Sequence, residues 1–503
     1  MSATTLSTEV TAGRAEGEPL SSRPARPARK GWRGRGWWIS AAALAVFSMV
    51  LLRWARTSPG YDPYGWLVWG YQTLHLNLDL GGAPSWKPLP SLFTVPYSLF
   101  GHYSLWLWGA TCVALSLAGA IFAGRIAYTL TVGGGRHRYA ALAGGLFAGL
   151  ALVGMQDYAH YVLSVQSDSM IVGLCLGAVD CHLCGRRRWA FWLLVLASFG
   201  RPEAWVFCGV YGVWLWRRFP ALRRMVCGGL AAIPLMWFGV PLLTGQSFFV
   251  SGQLAYRSPR ALHENRIVGE LGRFFGLEYL PVWLASATAV VLAMLRGDRA
   301  VLTLAGAAVL WLVIELAFVL HGWPGVPRYV MEPAGVAIAL GGVAVGWILA
   351  EAPRLARGVP RWLGVALVAL LAASLAPGAL ARLGVERADL HHERQRTQEI
   401  ARLKSTIARL GGYRRVRSCG EPVTDVEYAS VLAWFTKLNV GFVGYLPDRE
   451  RAQPYPIVLF TPVSDRWIVQ PWHTLPAKRA QCARLGGTHV AARGDPVGAL
   501  GGL

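Results

Sequence analysis

Apolar runs recur along this chain of 503 residues, and they constrain its fold more than any other feature. A helix that crosses the hydrocarbon core of a bilayer needs about 20 predominantly apolar residues. Two shorter runs, at residues 189–199 and 204–216, are joined by Gly200-Arg201-Pro202-Glu203 and predict a helical hairpin. We therefore expect a polytopic α-helical membrane protein with about 11 spans. The other spans lie near residues 37–52, 104–130, 140–154, 168–183, 221–243, 280–295, 301–320, 329–350 and 362–380.

The composition excludes the main alternatives to a membrane protein. Charged residues make up only 15% of the chain, whereas about 25% is typical of soluble proteins. A hydrophobic share of 54% is too high for a chain that is disordered over most of its length. The net charge of +22 is divided among separate short clusters and does not form the single basic stripe of a nucleic-acid binder. We therefore expect no nucleic-acid partner.

The arginine clusters predict the orientation in the membrane. Between Arg23 and Arg35 the N-terminal segment carries six basic residues and no acid, and basic flanks remain in the cytoplasm. An odd number of spans then places the C-terminus outside the cell membrane. This alternation keeps most of the later basic clusters in the cytoplasm as well, which supports the hairpin. Those clusters lie at residues 136–138, 186–188, 217–224 and 354–361.

The last 120 or so residues differ in composition and predict a small extracytoplasmic α/β domain. Residues 386–410 have the pattern of a charged helix, and residues 456–461 and 466–469 have the pattern of strands. Cys419 and Cys482 are the two cysteines of this segment, and the oxidising exterior favours a disulfide between them. We divide the chain into a disordered basic cytoplasmic tail at 1–36, a transmembrane module at 37–381 and the extracytoplasmic domain at 382–503.

Polar side chains in the first two predicted outer loops are candidates for chemistry. Asp62 precedes a helical stretch whose tryptophans are spaced to lie in the membrane interface, and Lys87 lies between Trp86 and Pro88 before a second short helix. Asp62 also suits the start of a helix, and Lys87 also suits snorkelling to the headgroups. In the second loop Asp157, His160 and Asp168 offer ligands for a divalent cation, although each acid could simply face water.

Arginines in later predicted outer segments complete the set of candidates. Arg201 and Glu203 lie at the tip of the helical hairpin, where they could pair with each other. Arg257 lies in the following loop, and Arg328 enters a span beside Tyr329. An arginine at such an entrance can bind a phosphate through two nitrogens, or it can act only as an interfacial anchor.

This order of motifs resembles the GT-C superfamily, integral membrane glycosyltransferases that depend on polyprenyl-phosphate sugars. The resemblance covers roughly residues 37–380. It rests on the topology and on Tyr61-Asp62-Pro63-Tyr64, Ser167-Asp168-Ser169, Arg201-Pro202-Glu203 and Pro327-Arg328-Tyr329. Many members carry paired acids in the first loop, whereas this chain has Asp-Pro, so only Asp62 carries over.

The resemblance implies transfer of a sugar from a polyprenyl-phosphate donor to an envelope glycan, lipid or protein at the outer face of the membrane. Asp62 would be the general base of an inverting reaction, in a mannosyl- or arabinosyltransferase-like enzyme. Arg328, helped by Lys87, Arg201 and Arg257, would bind the donor phosphate. The acceptor, or a divalent cation such as Mg or Mn, would be held by Asp157, Asp168 and His160.

Two other functions fit parts of the sequence. A transporter or flippase for a lipid-linked or polar envelope substrate would also have many spans, but it needs polar groups near the bilayer midplane. Glu315 is the clear candidate for such a group. An envelope scaffold would instead use the C-terminal domain to bind a protein or a cell-wall polymer.

Overall fold

The computed structural model describes residues 34–82, 84–132, 138–256, 265–355 and 361–490. Helices form most of this part of the chain, with one small sheet near its C-terminal end. The α-helices are α1 (Gly34–Ala55), α2 (Tyr61–Leu74), α3 (Pro88–Tyr97), α4 (Ser104–Thr131), α5 (Arg138–Val153), α6 (Tyr158–Leu163), α7 (Ser167–Leu183), α8 (Arg187–Gly200), α9 (Ala204–Arg218), α10 (Arg223–Pro234), α11 (Val240–Leu243), α12 (Val250–Tyr256), α13 (Arg266–Gly276), α14 (Leu280–Arg296), α15 (Arg299–Leu320), α16 (Met331–Leu355), α17 (Arg361–Arg409), α18 (Tyr413–Cys419), α19 (Val426–Thr436), α20 (Pro447–Arg451) and α21 (Arg479–Ala483).

Several of these helices have the length and composition of membrane spans. Six candidates are found in the described part of the chain, and there are up to seven if a bent pair counts as one span. That pair is Arg266–Gly276 with Leu280–Arg296, which meet at 94°. The chain is thus a membrane protein with several spans, whereas a total of about 11 stays a prediction. The six are Gly36–Ala55, Pro88–Thr131, Pro220–Leu243, Arg299–Leu320, Met331–Ala350 and Trp362–Arg409.

The centre of the bundle is formed by α4, α5, α7 and α16, which pack closely against one another. Small residues permit this approach, because helices in lipid associate through close contact of their backbones. A Cβ atom at Gly144 of α5 would lie only 2.3 Å from the carbonyl oxygen of Gly342 in α16. A Cβ atom at Gly173 of α7 would lie 2.1 Å from the carbonyl oxygen of Leu115 in α4. Helix α7, which carries Asp168, is therefore held at a fixed depth in the bundle.

Helix α17 is continuous for 49 residues and passes through residue 382, where the sequence predicted a domain boundary. Its first part is apolar and its second part is charged, but a change in polarity does not end a helix. The segment Ala381-Arg382-Leu383-Gly384-Val385 contains no proline, and its single glycine costs only about 1 kcal/mol relative to alanine. The charged half of α17 therefore continues directly from its apolar half, which contains Pro377.

A four-stranded sheet follows α17. It consists of β1 (Glu421–Val423), β2 (Ile457–Val463), β3 (Arg466–Trp472) and β4 (Gly487–Val490), in that spatial order. Strands β1 and β2 are parallel, and β2–β3 and β3–β4 are antiparallel. The sheet packs against α17 through β3, where the Trp467 indole donates to the carbonyl oxygen of Glu399 at 2.9 Å. The two segments predicted as strands thus lie in neighbouring strands of one sheet.

Cys419 and Cys482 form a disulfide that joins the end of α18 to α21. The cross-link encloses a segment with a sequence separation of 63 residues, which contains β1, α19, β2 and β3. We expect replacement of both cysteines by alanine to lower the free energy of unfolding of this region by up to about 4 kcal/mol, because the loop is no longer closed in the unfolded chain. Limited proteolysis with detection of C-terminal fragments would measure the loss. Replacement of the free, exposed Cys184 and Cys227 is the control, and equal protease resistance of all three proteins would contradict the prediction.

Candidate active site

Five charged side chains from separate segments come together beside the ends of the bundle helices. Asp62 lies in the first turn of α2, and Lys87 directly precedes α3. Asp168 lies in the first turn of α7, Arg201 follows the last residue of α8, and Arg328 lies in a 3₁₀ turn before α16. All five were candidates from the sequence, and the structure brings them into one cluster.

Asp168 is the centre of this cluster. Its side chain is completely buried, yet it contacts three cations. Arg201 donates a short hydrogen bond to Oδ1 of Asp168, and the Lys87 Nζ atom lies 3.7 Å from the same oxygen. Nη1 of Arg328 lies 3.7 Å from the other oxygen, Oδ2. A buried carboxylate is stable in its charged form only when it is paired, and here three positive side chains share that role.

Arg328 connects Asp168 to Asp62. Its Nη1 atom donates to Oδ2 of Asp62 at 3.3 Å, in addition to its contact with Asp168. The side chains of Arg328 and Asp62 are 19% and 18% exposed, whereas Asp168 is fully buried. Asp62 and Arg328 are therefore accessible to a bound molecule, while Asp168 lies beneath them.

Arg201 is held from several sides and does not pair with Glu203. Besides Asp168, its Nη2 atom donates to the carbonyl oxygen of Arg328 at 2.8 Å, and its Nε atom lies 3.7 Å from Glu332. Its guanidinium also lies 4.2 Å from the ring centroid of Tyr329. The expected local pair at the hairpin tip is thus replaced by contacts with α7 and α16. Arg201 orders the segment that carries Arg328.

Several donors in this cluster have no hydrogen-bond partner among the described residues. They include Nζ of Lys87 and Nε of Arg328, although both atoms are buried. Burial lowers the pKa of Lys87, and the negative charge of Asp168 opposes that effect. The Lys87 ammonium also lies 5.8 Å from the ring centroid of Trp66. Unsatisfied buried donors cost free energy, so an anion that accepts from Lys87 and Arg328 would be bound favourably.

The segment before Asp62 is positioned by α17 and by the turn that follows α6. The backbone nitrogen of Ser58 donates to Thr397 of α17 at 2.7 Å. The backbone nitrogen of Gly60 donates to the carbonyl oxygen of Ser164 at 2.8 Å. A Cβ atom at Gly60 would displace the end of the Gln166 side chain, so the glycine lets Gln166 pack against this segment. These contacts fix the start of α2.

Helix α2 is covered by the C-terminal part of the chain. Helix α19 packs across it, and Ser430 lies against Gly65. Trp66 and Trp69 are fully buried, with ring contacts to Trp108 of α4 and to Trp86, whereas their spacing had suggested a position in the membrane interface. Spacing along one helix cannot reveal packing against other segments, such as that of α2 against α19. The C-terminal segment is therefore part of the structure that supports Asp62.

His160 and Asp157 lie in a second group of charges. His160 Nδ1 lies 3.0 Å from Asp389 of α17, and these two residues with Glu393 form the one group of three potential metal ligands found among the described residues. Burial lowers the pKa of His160, but the hydrogen bond and charge of Asp389 outweigh it and raise the pKa above its usual value. Asp157 contributes to the electrostatics of this group, and Asp168 is not a member of it.

The sequence pattern did not single out every residue of these two groups. Glu332 was not among the candidates, and Asp389 and Glu393 lie in residues 386–410, which the sequence predicted only as a charged helix. The spacing of Arg328, Tyr329 and Glu332, one turn apart at the start of a span, was a signal for Glu332. No local signal places Asp389 beside His160, since 229 residues separate them. Arg257 lies outside the described residues.

The two acids of the central cluster are expected to differ in their effect on stability. Replacement of Asp168 by asparagine leaves Lys87, Arg201 and Arg328 close together without their shared anion. We expect a loss of about 3–5 kcal/mol, as found when one partner of a buried ion pair is removed. Replacement of the partly exposed Asp62 by asparagine should cost about 1 kcal/mol or less. Thermal denaturation of the two purified variants in detergent measures the difference, and equal melting temperatures would refute it.

Comparison with solved structures supports the fold. No protein-family model and no curated protein sequence matches the chain. The solved structure of ArnT from Cupriavidus metallidurans bound to undecaprenyl phosphate is similar, with a TM-score of 0.52, 16% sequence identity, and coverage of 92% of this chain and 97% of that one. The apo structure of the same protein gives a TM-score of 0.50, 14% identity, and coverage of 90% and 95%. This chain therefore shares the fold of ArnT.

Proposed function

We propose that this protein is a membrane glycosyltransferase that uses a polyprenyl-phosphate sugar as its donor. The acceptor is a hydroxyl group of an envelope glycan, lipid or protein at the outer face of the cell membrane. The observation that carries the proposal is the contact between Asp62 and Arg328, because it places a partly exposed carboxylate beside a cationic site with free donors. The similarity to ArnT, which was solved with undecaprenyl phosphate, supports a donor of that class.

Asp62 is the general base in this proposal. An acceptor hydroxyl beside Asp62 would donate its proton to the carboxylate as the oxygen attacks the anomeric carbon. Asp168 is unsuited to this role, because its side chain is buried and is occupied by three cations. The two acids therefore have different functions, with Asp62 receiving the proton and Asp168 positioning the cations.

Lys87 and Arg328 stabilise the leaving group. As the bond from the acceptor oxygen to the anomeric carbon forms, the bond from that carbon to the phosphate oxygen breaks, and its electron pair stays on the phosphate. The negative charge that develops there is neutralised by the two cations, which need no reorganisation because Asp168 and Arg201 already hold them. Attack from the side opposite the leaving phosphate inverts the configuration at the anomeric carbon, through an oxocarbenium-like transition state. Arg201 is a positioning residue, since its contacts are to Asp168, Glu332 and the backbone of Arg328.

A divalent cation, Mg or Mn, has one suitable place among the described residues. His160, Asp389 and Glu393 offer an imidazole and two carboxylates, and their ligand atoms lie within 4.8 Å of one another. Asp168 does not suit a metal ion, because a divalent cation there would be repelled by three positive side chains. A cation bound by His160, Asp389 and Glu393 would link the predicted second outer loop, which carries His160, to α17.

In this proposal the chain has about 11 spans, a cytoplasmic N-terminus and an extracytoplasmic C-terminal domain. The cluster of Asp62 and Arg328 then lies on the outer side of the membrane. Nucleotide sugars are absent there, so the sugar has to arrive already activated on a lipid. A mannosyl or arabinosyl group is the proposed class of sugar.

We expect Asp62→Asn to abolish transfer while the protein still inserts and folds, because asparagine keeps the shape of the side chain but cannot accept the proton. Envelope glycans from cells that carry this variant should lack the same terminal sugar as cells without the gene, as read by mass spectrometry. Asp79→Asn is a matched control in the same outer segment, where Asp79 only accepts hydrogen bonds from Gly81 and Gln246. Near-normal glycans with Asp62→Asn would eliminate Asp62 as the base.

We expect Arg328→Gln to weaken the binding of undecaprenyl phosphate by roughly tenfold or more, since it removes a charge-assisted hydrogen bond to the phosphate. Arg328→Lys, which keeps the charge, should restore part of the affinity. Binding to the purified full chain in detergent gives the measurement. Arg266→Gln is the control, because this exposed arginine donates only to the carbonyl oxygen of Leu320. Unchanged affinity in Arg328→Gln would show that the phosphate binds elsewhere.

A further inference from the structure

An open cleft lies between the end of α1, the start of α4 and the charged half of α17. It has a volume of about 900 Å³ and shares no side chain with the cluster around Asp168. Met49, Val50 and Trp106 form its apolar part, and Trp54 lies beside them. Three arginines, at positions 53, 56 and 394, complete its lining together with Gln398. The cleft therefore combines an apolar wall with a concentrated positive charge.

The apolar wall continues beyond this cleft. A neighbouring pocket of about 610 Å³ shares Met49 and Trp106 with it, and aromatic and aliphatic side chains line the rest. Tyr97, Phe100 and Tyr103 belong to that lining and lie between α3 and α4. The two spaces thus form one surface that is apolar at one end and cationic at the other, at a depth where tryptophan and tyrosine mark the membrane interface.

No carboxylate among the described residues forms an ion pair with the three arginines of the cleft. The side chains of Arg53 and Arg56 are exposed and make no hydrogen bond or ion pair with any residue in the described ranges. Arg394 is fixed, because its Nε donates to the carbonyl oxygen of Ala55 at 2.8 Å and its guanidinium lies 5.6 Å from the ring centroid of Trp54. Its Nη1 has no partner among the described residues. Three guanidinium groups with available donors match the oxygens of a phosphate.

The backbone at Arg56 supports a role for its side chain. This residue has φ of 55°, in the left-handed region, directly after α1 ends. Glycine is the usual residue at such a position, and another residue there costs about 1 kcal/mol. The negative end of the α1 dipole would favour one cation in the last turn, which Arg53 already supplies. A second exposed arginine in a strained conformation is better explained by a ligand.

We propose that this cleft binds one anionic phospholipid of the outer leaflet. The headgroup phosphate accepts hydrogen bonds from Arg53, Arg56 and Arg394, and an acyl chain lies along the apolar wall past Trp106. The occupant is a resident membrane lipid and is separate from the polyprenyl-phosphate donor, whose phosphate we place at Arg328. Because α17 holds both the cleft, through Arg394, and the segment before Asp62, through Thr397, the bound lipid braces the connection from α1 to α2.

The test uses the full chain, purified in detergent and freed of bound lipid. Dioleoyl-phosphatidylglycerol and dioleoyl-phosphatidylcholine are added in turn, and bound lipids are counted by native mass spectrometry. We expect the wild-type protein to retain one phosphatidylglycerol, and the Arg53→Gln, Arg56→Gln double variant to bind it roughly tenfold more weakly. The wild-type protein should bind phosphatidylcholine more weakly than phosphatidylglycerol, since the choline cation would lie beside the arginines of the cleft.

A matched control removes the same charge at another site. Arg217→Gln with Arg218→Gln replaces two exposed arginines at the end of α9 and should leave phosphatidylglycerol binding unchanged. Wild-type melting temperatures for both double variants would exclude unfolding as the cause of any loss. Equal affinities in the wild-type and the Arg53, Arg56 variant, or an equal loss in the control, would overturn the proposal.

Two further measurements separate the lipid from related ligands. Millimolar sn-glycerol 3-phosphate should not displace phosphatidylglycerol, and displacement would show a site for free phosphate. The Arg53, Arg56 double variant should bind undecaprenyl phosphate with wild-type affinity, whereas Arg328→Gln should bind phosphatidylglycerol normally. Loss of undecaprenyl phosphate binding in the double variant would assign the cleft to the donor and overturn a separate lipid site.

Discussion

A carboxylate that is removed from water stays ionised only if cations replace the hydration it has lost, and Asp168 has three of them. The other features of the candidate site depend on this arrangement. Lys87, Arg201 and Arg328 come from different parts of the chain, and each is attracted to the same buried acid at the start of α7. Since α7 is packed closely into the bundle, Asp168 acts as a fixed point, and the cations around it are ordered before any ligand arrives.

The same arrangement divides the work between two acids. Lys87, Arg201 and Arg328 would repel one another, and Asp168 neutralises part of their charge. Donors on Lys87 and Arg328 nevertheless stay without a partner among the described residues. Of these three cations, Asp62 forms an ion pair with Arg328 alone, and its side chain remains partly exposed. In the proposed mechanism these features supply a base, an anion-binding position and a site that needs little reorganisation, which transfer from a phosphate leaving group requires.

Helix α17 connects the segment before Asp62 to other parts of the molecule. Its charged half contacts the connection between α1 and α2, α6 through His160, and the C-terminal sheet through Glu399. A break between a span and a separate charged helix was predicted near residue 382, because the polarity of the sequence changes there. Hydropathy reports the surroundings of a helix and carries no information about where its backbone hydrogen bonds stop. In this chain the helix also continues through Pro377 and Gly378, although both residues commonly mark a helix end.

The sequence by itself determined that this is a helical membrane protein, since repeated apolar runs of about 20 residues with few charges are typical of membrane-spanning helices. It also indicated which charged side chains to examine. Charged groups beside a span cost free energy unless they are paired, and they often mark functional sites. Only the tertiary structure decided how these charges are paired. Asp62 and Arg328 are 266 residues apart, Arg201 contacts Asp168 and Glu332 instead of Glu203, and α19 packs across α2. Ion pairing and burial depend on distances between segments, and a pattern along one segment does not contain those distances.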